Sequence, residues 1–140
     1  MRVQDPSGNG VPVAAKTRKI LLIDDEADMR EVARLSLELI GGWQVTTARS
    51  GSEGLLLART EQPDAILLDV MMPGMDGPAV LEQLRASPAT ADVPVIYLTG
   101  KAQQYSANRL SGSRADAVIA KPFDPMELSR QVAAALDWET

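Results

Sequence analysis

Five side chains that can take part in phosphoryl or metal chemistry each follow a short apolar run of this sequence: Asp24, Asp25, Asp69, Thr99 and Lys121. Three carboxylates brought together would repel one another unless a cation lay between them, and a hard, oxygen-rich site with few protein ligands suits Mg²⁺. Asp69 could then act as a nucleophile that forms an acyl phosphate, with the metal offsetting the charge of the phosphoryl oxygens. Thr99 can donate a hydrogen bond to that group, and Lys121 can meet it as a positive charge.

The apolar runs predict the elements that must position these side chains. Each run is short and unbroken, as in strands that are buried on both faces, and helical patterns with plausible caps or glycine stops separate the runs. The predicted strands are 19–23, 43–47, 65–69, 94–99 and 117–120. The predicted helices lie between 29 and 40, from 50 to 58, from about 78 to 85, around 103–110, and from about 125 to 136.

Strands that alternate with helices predict a parallel sheet, because right-handed crossovers place helices on both faces of it. The expected α/β architecture is a flavodoxin-like, doubly wound, five-stranded parallel sheet in the order 2-1-3-4-5 with five helices. In such sheets, ligands bind beyond the carboxyl ends of the strands, near the point where the strand order reverses. The chemically competent side chains above occupy those ends, so the sequence predicts that they meet.

Composition narrows the class of protein. The chain has 140 residues, 45% of them hydrophobic, which suits one domain, predicted at 18–138 after a flexible, polar arm at 1–17. Cysteine and histidine are absent, which excludes disulfides, thiolate chemistry and imidazole catalysis. A net charge of -5 argues against direct binding to nucleic acid. Without a signal-like start or a membrane-length apolar run, we expect a cytoplasmic protein that does not enter the membrane.

Four segments, taken in order, resemble the response-regulator receiver family over roughly residues 18 to 137. They are Ile23-Asp24-Asp25-Glu26, Leu68-Asp69-Val70-Met71-Met72-Pro73-Gly74-Met75-Asp76-Gly77, Leu98-Thr99-Gly100 and Lys121-Pro122-Phe123. The intervals are 44 residues from Asp25 to Asp69, 30 to Thr99 and 22 to Lys121, as expected for such receivers. No single segment decides the matter, but the four together do.

The resemblance implies a role for each matching residue. It implies that Mg²⁺ is bound by Asp24, Asp25, Asp69 and the backbone carbonyl of Met71, and that Asp69 is the phosphoacceptor. It further implies that Thr99, Lys121 and the backbone N–H of Gly100 contact the phosphoryl group, and that the Lys121-Pro122 bond is cis. One departure is Val118, since many receivers have at this position an aromatic ring that moves on activation.

The function implied is a phosphorylation-controlled switch or relay, and not a turnover enzyme. The phosphoryl donor would be a histidine kinase or a histidine phosphotransfer protein, and activation would change partner binding or pass the phosphoryl group on. A downstream protein is expected on the surface of the fourth predicted helix, the last strand and the last helix. A homodimer is possible, but the sequence does not determine the oligomeric state.

Two other hypotheses fit the sequence less well. A pseudo-receiver would bind partners without phosphorylation, but such proteins are expected to lose acidic residues that are all present here. A phosphatase of the haloacid-dehalogenase type would need a second aspartate two residues after the nucleophile, where this chain has Met71. Taken singly, each residue also has an ordinary explanation, such as a helix cap at Asp24 or Asp25 or a solvated surface charge at Lys121. Their joint placement favours a site.

Overall fold

The computed structural model describes residues 17–101 and 115–139 of the chain. Within these ranges, five strands alternate with helices, except that the undescribed residues 102–114 lie between the last two strands. The strands are β1 (Lys19–Ile23), β2 (Gln44–Ala48), β3 (Ala65–Asp69), β4 (Val95–Thr99) and β5 (Ala117–Ala120). The helices are α1 (Ala27–Leu39), α2 (Gly51–Glu61), α3 (Gly77–Ala86) and α4 (Leu128–Leu136).

The strands form one parallel sheet in the order β2-β1-β3-β4-β5. This order confirms the flavodoxin-like, doubly wound architecture predicted from the sequence. Four of the five predicted helices are present in the described ranges. The remaining one, predicted around 103–110, lies outside the described residues, as does nearly all of the predicted arm at 1–17.

Helices cover both faces of the sheet, and a separate apolar core lies on each face. Successive side chains of a strand point to opposite faces, so Leu21 and Ile23 join the core under α2 and α3, whereas Ile20 and Leu22 join the core under α1 and α4. All five residues of β3 are buried, as are all five of β4. Burial on both faces explains why these strands have no polar alternation.

Local hydrogen bonds fix where the helices start. Ser50 accepts a hydrogen bond from the Glu53 N–H (3.2 Å) while the Glu53 carboxylate accepts one from the Arg49 N–H (2.8 Å), a reciprocal cap for α2. Asp76 caps α3 by accepting from the Ala79 N–H at 3.0 Å. The last helix begins at Leu128, three residues after its predicted start, because a turn at Asp124 comes first.

An aromatic cluster closes the amino edge of the sheet, where the strands begin. The rings of Trp43 and Trp138 meet edge to face with centroids 5.4 Å apart, and the Arg18 guanidinium lies 4.5 Å from the centre of the Trp138 ring. Trp138 reaches this edge because its N–H donates to the Ala133 carbonyl and folds the chain back at the end of α4. Across the described residues, each helix is too short or too polar to span a bilayer.

Candidate functional site

Three aspartates meet at the carboxyl edge of the sheet. Asp24 and Asp25 directly follow β1, and Asp69 is the last residue of the neighbouring strand β3. Each offers one carboxylate oxygen to a group whose members lie within 4.8 Å of one another. Asp24 is fully buried and Asp69 is 4% exposed. The structure therefore brings together the three carboxylates that the sequence placed at one edge.

Lys121 reaches this acidic group from the end of β5. Its Nζ donates to Asp24 Oδ2 at 2.9 Å and lies 3.3 Å from Asp69 Oδ1. The lysine side chain is only 12% exposed, so this ammonium is a partly buried charge and not a solvated surface group. The Lys121–Pro122 peptide bond is cis, as the family resemblance implied.

Backbone groups orient two of the aspartates. The Glu26 N–H donates to Asp24 Oδ1 at 2.9 Å, and the Met71 N–H donates to Asp69 Oδ1 at 3.3 Å. Arg30 also donates from Nη1 to the Asp24 carbonyl at 2.8 Å. The cap position of α1 is occupied by Glu26, so helix capping does not explain the aspartate pair. These contacts leave the second carboxylate oxygen of Asp69 available for other chemistry.

The electrostatics of the site disfavour a charged Asp69. Burial and the neighbouring Asp24 carboxylate raise the pKa of Asp69 to about 6, although Lys121 and the Met71 N–H act in the other direction. Burial alone would lower the pKa of Lys121, but its hydrogen bond and ion pairs with Asp24 and Asp69 outweigh burial and raise it. The ammonium of Lys121 therefore stays charged at neutral pH. Its single positive charge does not balance the negative charge of the three carboxylates around it.

The donor set fits a magnesium ion. Among the described residues, Asp25 Oδ1 is a buried side-chain oxygen without a hydrogen-bond partner, which is costly unless a cation or other ligand satisfies it. Three carboxylates with room for water ligands match the hard, oxygen-rich coordination that Mg²⁺ prefers. An unpartnered buried oxygen at Asp25 and a raised pKa at Asp69 are features expected of carboxylates that hold a cation.

The other predicted site residues lie around the same edge. Thr99 ends β4, is 1% exposed, and its Oγ1 accepts from the Lys101 N–H at 3.0 Å. Gly100 follows it with open space where a side chain would project. The Met71 side chain is 59% exposed, so this residue contributes to the pocket through its backbone. Val118, on β5, packs against the core that contains the buried Tyr97.

One residue at this edge was not assigned a role from the sequence. Glu26 Oε1 lies 3.8 Å from Lys121 Nζ, at the rim of the pocket. Its position directly after the aspartate pair is a sequence signal, but residue spacing says nothing about which way the side chain turns.

Comparison with known proteins identifies the family. The profile of the response regulator receiver domain matches residues 20–133, which is most of the chain. This protein belongs to the response regulator receiver family. As a receiver domain, it is a module of two-component signal transduction.

Curated relatives of this receiver domain include transcriptional regulators. The chain is 41% identical over 120 residues to the probable transcriptional regulator ycf27 of Pyropia yezoensis. The aligned region covers 84% of this chain and 47% of that protein. It is 39% identical over 118 residues to the DNA-binding dual master transcriptional regulator RpaA of Synechocystis, with 84% and 48% covered. The chain thus spans about half the length of the curated relatives it matches.

Solved structures show the same receiver fold. A putative response regulator from Chloroflexus aurantiacus matches with a TM-score of 0.76 and 34% identity, covering 87% of this chain and 99% of that one. The receiver domain of sensor histidine kinase PA1611 from Pseudomonas aeruginosa matches with a TM-score of 0.75 and 30% identity, covering 86% and 98%. That second structure has a magnesium ion coordinated in its active site cleft.

Proposed function

We propose that this receiver domain, spanning 18–138, accepts a phosphoryl group on Asp69 in a magnesium-dependent reaction. The observation that carries the proposal is the contact of Lys121 with both Asp24 and Asp69 in a pocket of three carboxylates. A lysine with a purely structural role would need only one buried carboxylate as its partner. A phosphoryl-transfer site needs a positive charge next to the nucleophile, and Lys121 has that position beside Asp69. A phosphohistidine of a histidine kinase or a histidine phosphotransfer protein is the donor proposed.

The chemistry follows from the residues present. A carboxylate oxygen of Asp69 attacks phosphorus, the P–N bond to the donor histidine breaks, and the imidazole nitrogen keeps the electron pair. Asp24, Asp25, Asp69 and the Met71 carbonyl would hold Mg²⁺, which when bound offsets the charge of the phosphoryl oxygens. Lys121 and the Thr99 hydroxyl stabilise the same oxygens, and the Gly100 N–H is the third protein donor.

A turnover phosphatase of the haloacid-dehalogenase type is disfavoured by Met71. That reaction needs a side chain at this position that can give and take a proton, and a thioether cannot do so. The phosphoryl group on Asp69 would instead change how the domain binds partners, or be passed on. The surface proposed for a downstream protein includes β5 and α4, and a homodimer through the same surface is one form this binding could take.

The proposal predicts a covalent label on one residue. Incubation with phosphoramidate and Mg²⁺ should add one phosphoryl group to the protein by intact-mass spectrometry, and EDTA should prevent the addition. The Asp69→Asn variant should gain no label. Asp92→Asn is the matched control, because Asp92 is an exposed aspartate just before β4, at the opposite edge of the sheet, and this variant should be labelled as the wild type is.

Each result separates the proposal from its competitor. Label on the wild type and the Asp92 variant, with none on the Asp69 variant, supports a phosphoacceptor. A wild-type protein that takes no label at saturating Mg²⁺ contradicts the proposal and favours a pseudo-receiver that binds partners without phosphorylation.

A further inference from the structure

Glu26 stands where a helix cap belongs but does not cap the helix. It occupies the cap position of α1, and its side chain makes no capping hydrogen bond. Serine, threonine or aspartate at such a position typically stabilises a helix. The Glu26 carboxylate turns instead toward the pocket, where Oε1 lies 3.8 Å from Lys121 Nζ.

The contact with Lys121 adds little to stability. The Glu26 side chain is 65% exposed, and ion pairs of exposed carboxylates typically contribute little to stability. Lys121 already has Asp24 and Asp69 as closer partners at 2.9 and 3.3 Å. The consequence of Glu26 is therefore the charge that it places at the mouth of the site.

That charge lies beside three aspartates whose charge a bound metal and Lys121 would balance. Bound Mg²⁺ and Lys121 together carry as much positive charge as the three aspartates carry negative charge. The Arg30 guanidinium donates to the Asp24 carbonyl, a neutral acceptor, and so adds a positive charge on the α1 side of the pocket. Glu26 therefore places an exposed negative charge at the rim of the pocket, 3.8 Å from the ammonium that contacts Asp69.

We propose that Glu26 sets a charge selectivity among phosphodonors, against dianionic small molecules and in favour of donors that carry less negative charge. The inference rests on the proposed function of Asp69 and specifies which donors reach it. At neutral pH, acetyl phosphate is a dianion and phosphoramidate a monoanion, so repulsion by Glu26 acts more strongly on acetyl phosphate.

The two donors deliver the same group through balanced reactions. With acetyl phosphate, an Asp69 oxygen forms a bond to phosphorus and the bridging P–O bond breaks, so that acetate leaves with the electron pair. With phosphoramidate, the P–N bond breaks and ammonia leaves. Both reactions end on the same aspartyl phosphate, so the ratio of their rates reports donor selection and cancels general effects on Asp69.

The test compares Glu26→Gln with Glu38→Gln and the wild type. Glu38 lies twelve residues further along α1, about 18 Å away along the helix axis, well beyond the Debye length of about 8 Å at physiological salt. Both substitutions change the net charge equally. Initial labelling rates with each donor are measured at saturating Mg²⁺ by intact-mass spectrometry, at low and at high salt.

The ratio of the acetyl phosphate rate to the phosphoramidate rate should rise about two- to fivefold in Glu26→Gln at low salt and less at high salt. It should rise much less in Glu38→Gln, because screening over about 18 Å is nearly complete at physiological salt and the interaction is weaker at that distance even at low salt. An unchanged ratio in Glu26→Gln, or an equal rise in both variants, would overturn the inference. A wild-type protein that neither donor labels would instead overturn the proposed function.

An equilibrium measurement checks the same inference without turnover. Beryllium fluoride is an anionic phosphoryl mimic, and its binding to the magnesium-loaded protein can be followed by calorimetry. Glu26→Gln should bind it about two- to fivefold more tightly than the wild type, and Glu38→Gln should match the wild type. Equal affinities for all three proteins would contradict a charge effect of Glu26.

Discussion

At the scale of single residues, burial and the Asp24 carboxylate make an ionised Asp69 unfavourable for the fold when no metal is bound. Its carboxylate is nearly buried and lies beside Asp24, so its pKa is about 6 in the folded protein, against 3.8 as the ordinary value. A group that is harder to ionise in the folded state than in the unfolded state lowers stability wherever it is ionised. This penalty is fully present above about pH 6 and disappears below the unfolded pKa.

Replacement of Asp69 by asparagine should therefore stabilise the metal-free protein. The neutral isostere removes the repulsion by Asp24, and we expect a gain of about 1–3 kcal/mol in the free energy of unfolding at pH 7.5 in EDTA. The gain should shrink as the pH falls from about 6 toward about 4, because the wild-type carboxylate then takes up a proton. Urea denaturation at several pH values measures both effects.

Asp92→Asn serves again as the control, with unchanged stability across the same pH range. A wild type that is more stable than Asp69→Asn in EDTA at pH 7.5 would show that the Lys121 contact outweighs burial and the Asp24 charge. Added Mg²⁺ should raise the melting temperature of the wild type and have a much smaller effect on Asp69→Asn, since one metal ligand is lost.

Residue type and interval were enough to predict which side chains meet. Asp24, Asp69 and Lys121 each directly follow or close a strand, and the topology of a parallel sheet carries such positions to one edge. The turn of the Glu26 side chain toward Lys121 could not be predicted, because it depends on a rotamer choice at an exposed position. The lack of a partner at Asp25 Oδ1 depends on every neighbouring group and is equally invisible in the sequence.

At the scale of elements, the first residue of α3 controls how closely that helix approaches the Asp69 loop. Gly77 is buried, and a Cβ placed there would lie 2.8 Å from the Val70 Cα and 2.9 Å from the Asp69 carbonyl oxygen. Both atoms belong to the backbone, which cannot yield as a flexible side chain would. The Gly77 N–H also donates to the Val70 carbonyl at 2.9 Å, which holds the two segments together.

Gly77→Ala should push the Asp69 loop away from α3. We expect a loss of about 1–3 kcal/mol in stability and a weaker affinity for Mg²⁺, because the metal ligands at Asp69 and Met71 shift with the loop. Urea denaturation and calorimetric Mg²⁺ titration measure the two losses. Gly42→Ala is the matched control: Gly42 has a positive φ of 73° and open space around it, so its replacement should cost stability through backbone strain alone.

A Gly77→Ala protein that binds Mg²⁺ as the wild type does would show that the loop tolerates the displacement. Equal losses of affinity in Gly77→Ala and Gly42→Ala would point to a global effect, since Gly42 lies before β2 at the other edge of the sheet.

Element type was predictable, whereas element ends were less so. The apolar strands and the periodic helices stand out because burial on both faces, or on one, imposes its own pattern. The sequence predicts the start of α4 three residues early because Pro125 resembles a first helical residue, whereas Asp124 forms a turn with the Met126 N–H. The hydrogen bond from the Met126 N–H to the Asp124 side chain therefore determines that a turn, and not the first turn of the helix, forms at this point.

At the scale of the whole molecule, the carboxyl ends of the strands hold the charged pocket, whereas their amino ends hold an aromatic cluster that stabilises the fold. The carboxyl edge holds like charges close together, and the amino edge holds the ring cluster of Arg18, Trp43 and Trp138. A five-residue strand separates these edges by roughly 16 Å. Packing at one edge can therefore offset the destabilising charges at the other without taking part in the chemistry.

Trp138→Ala should lower stability and leave the labelling of Asp69 intact. The edge-to-face pair and the cation–π contact are each worth about 1 kcal/mol, so we expect a loss of about 2 kcal/mol or more by denaturation followed with circular dichroism. Trp138→Phe keeps an aromatic ring and should lose less. A folded Trp138→Ala protein whose labelling rate at 25 °C falls in proportion to its stability would contradict this separation of the two edges.

The acidic pocket also has a consequence for protein engineering. Substitutions that neutralise its carboxylates are expected to make the metal-free chain sturdier, so a library screened only for heat resistance or expression yield would be enriched in molecules that can no longer signal. Natural selection for signalling has the opposite effect and retains the repulsive arrangement. Directed evolution of this domain should therefore score every round for metal binding as well as for thermal tolerance.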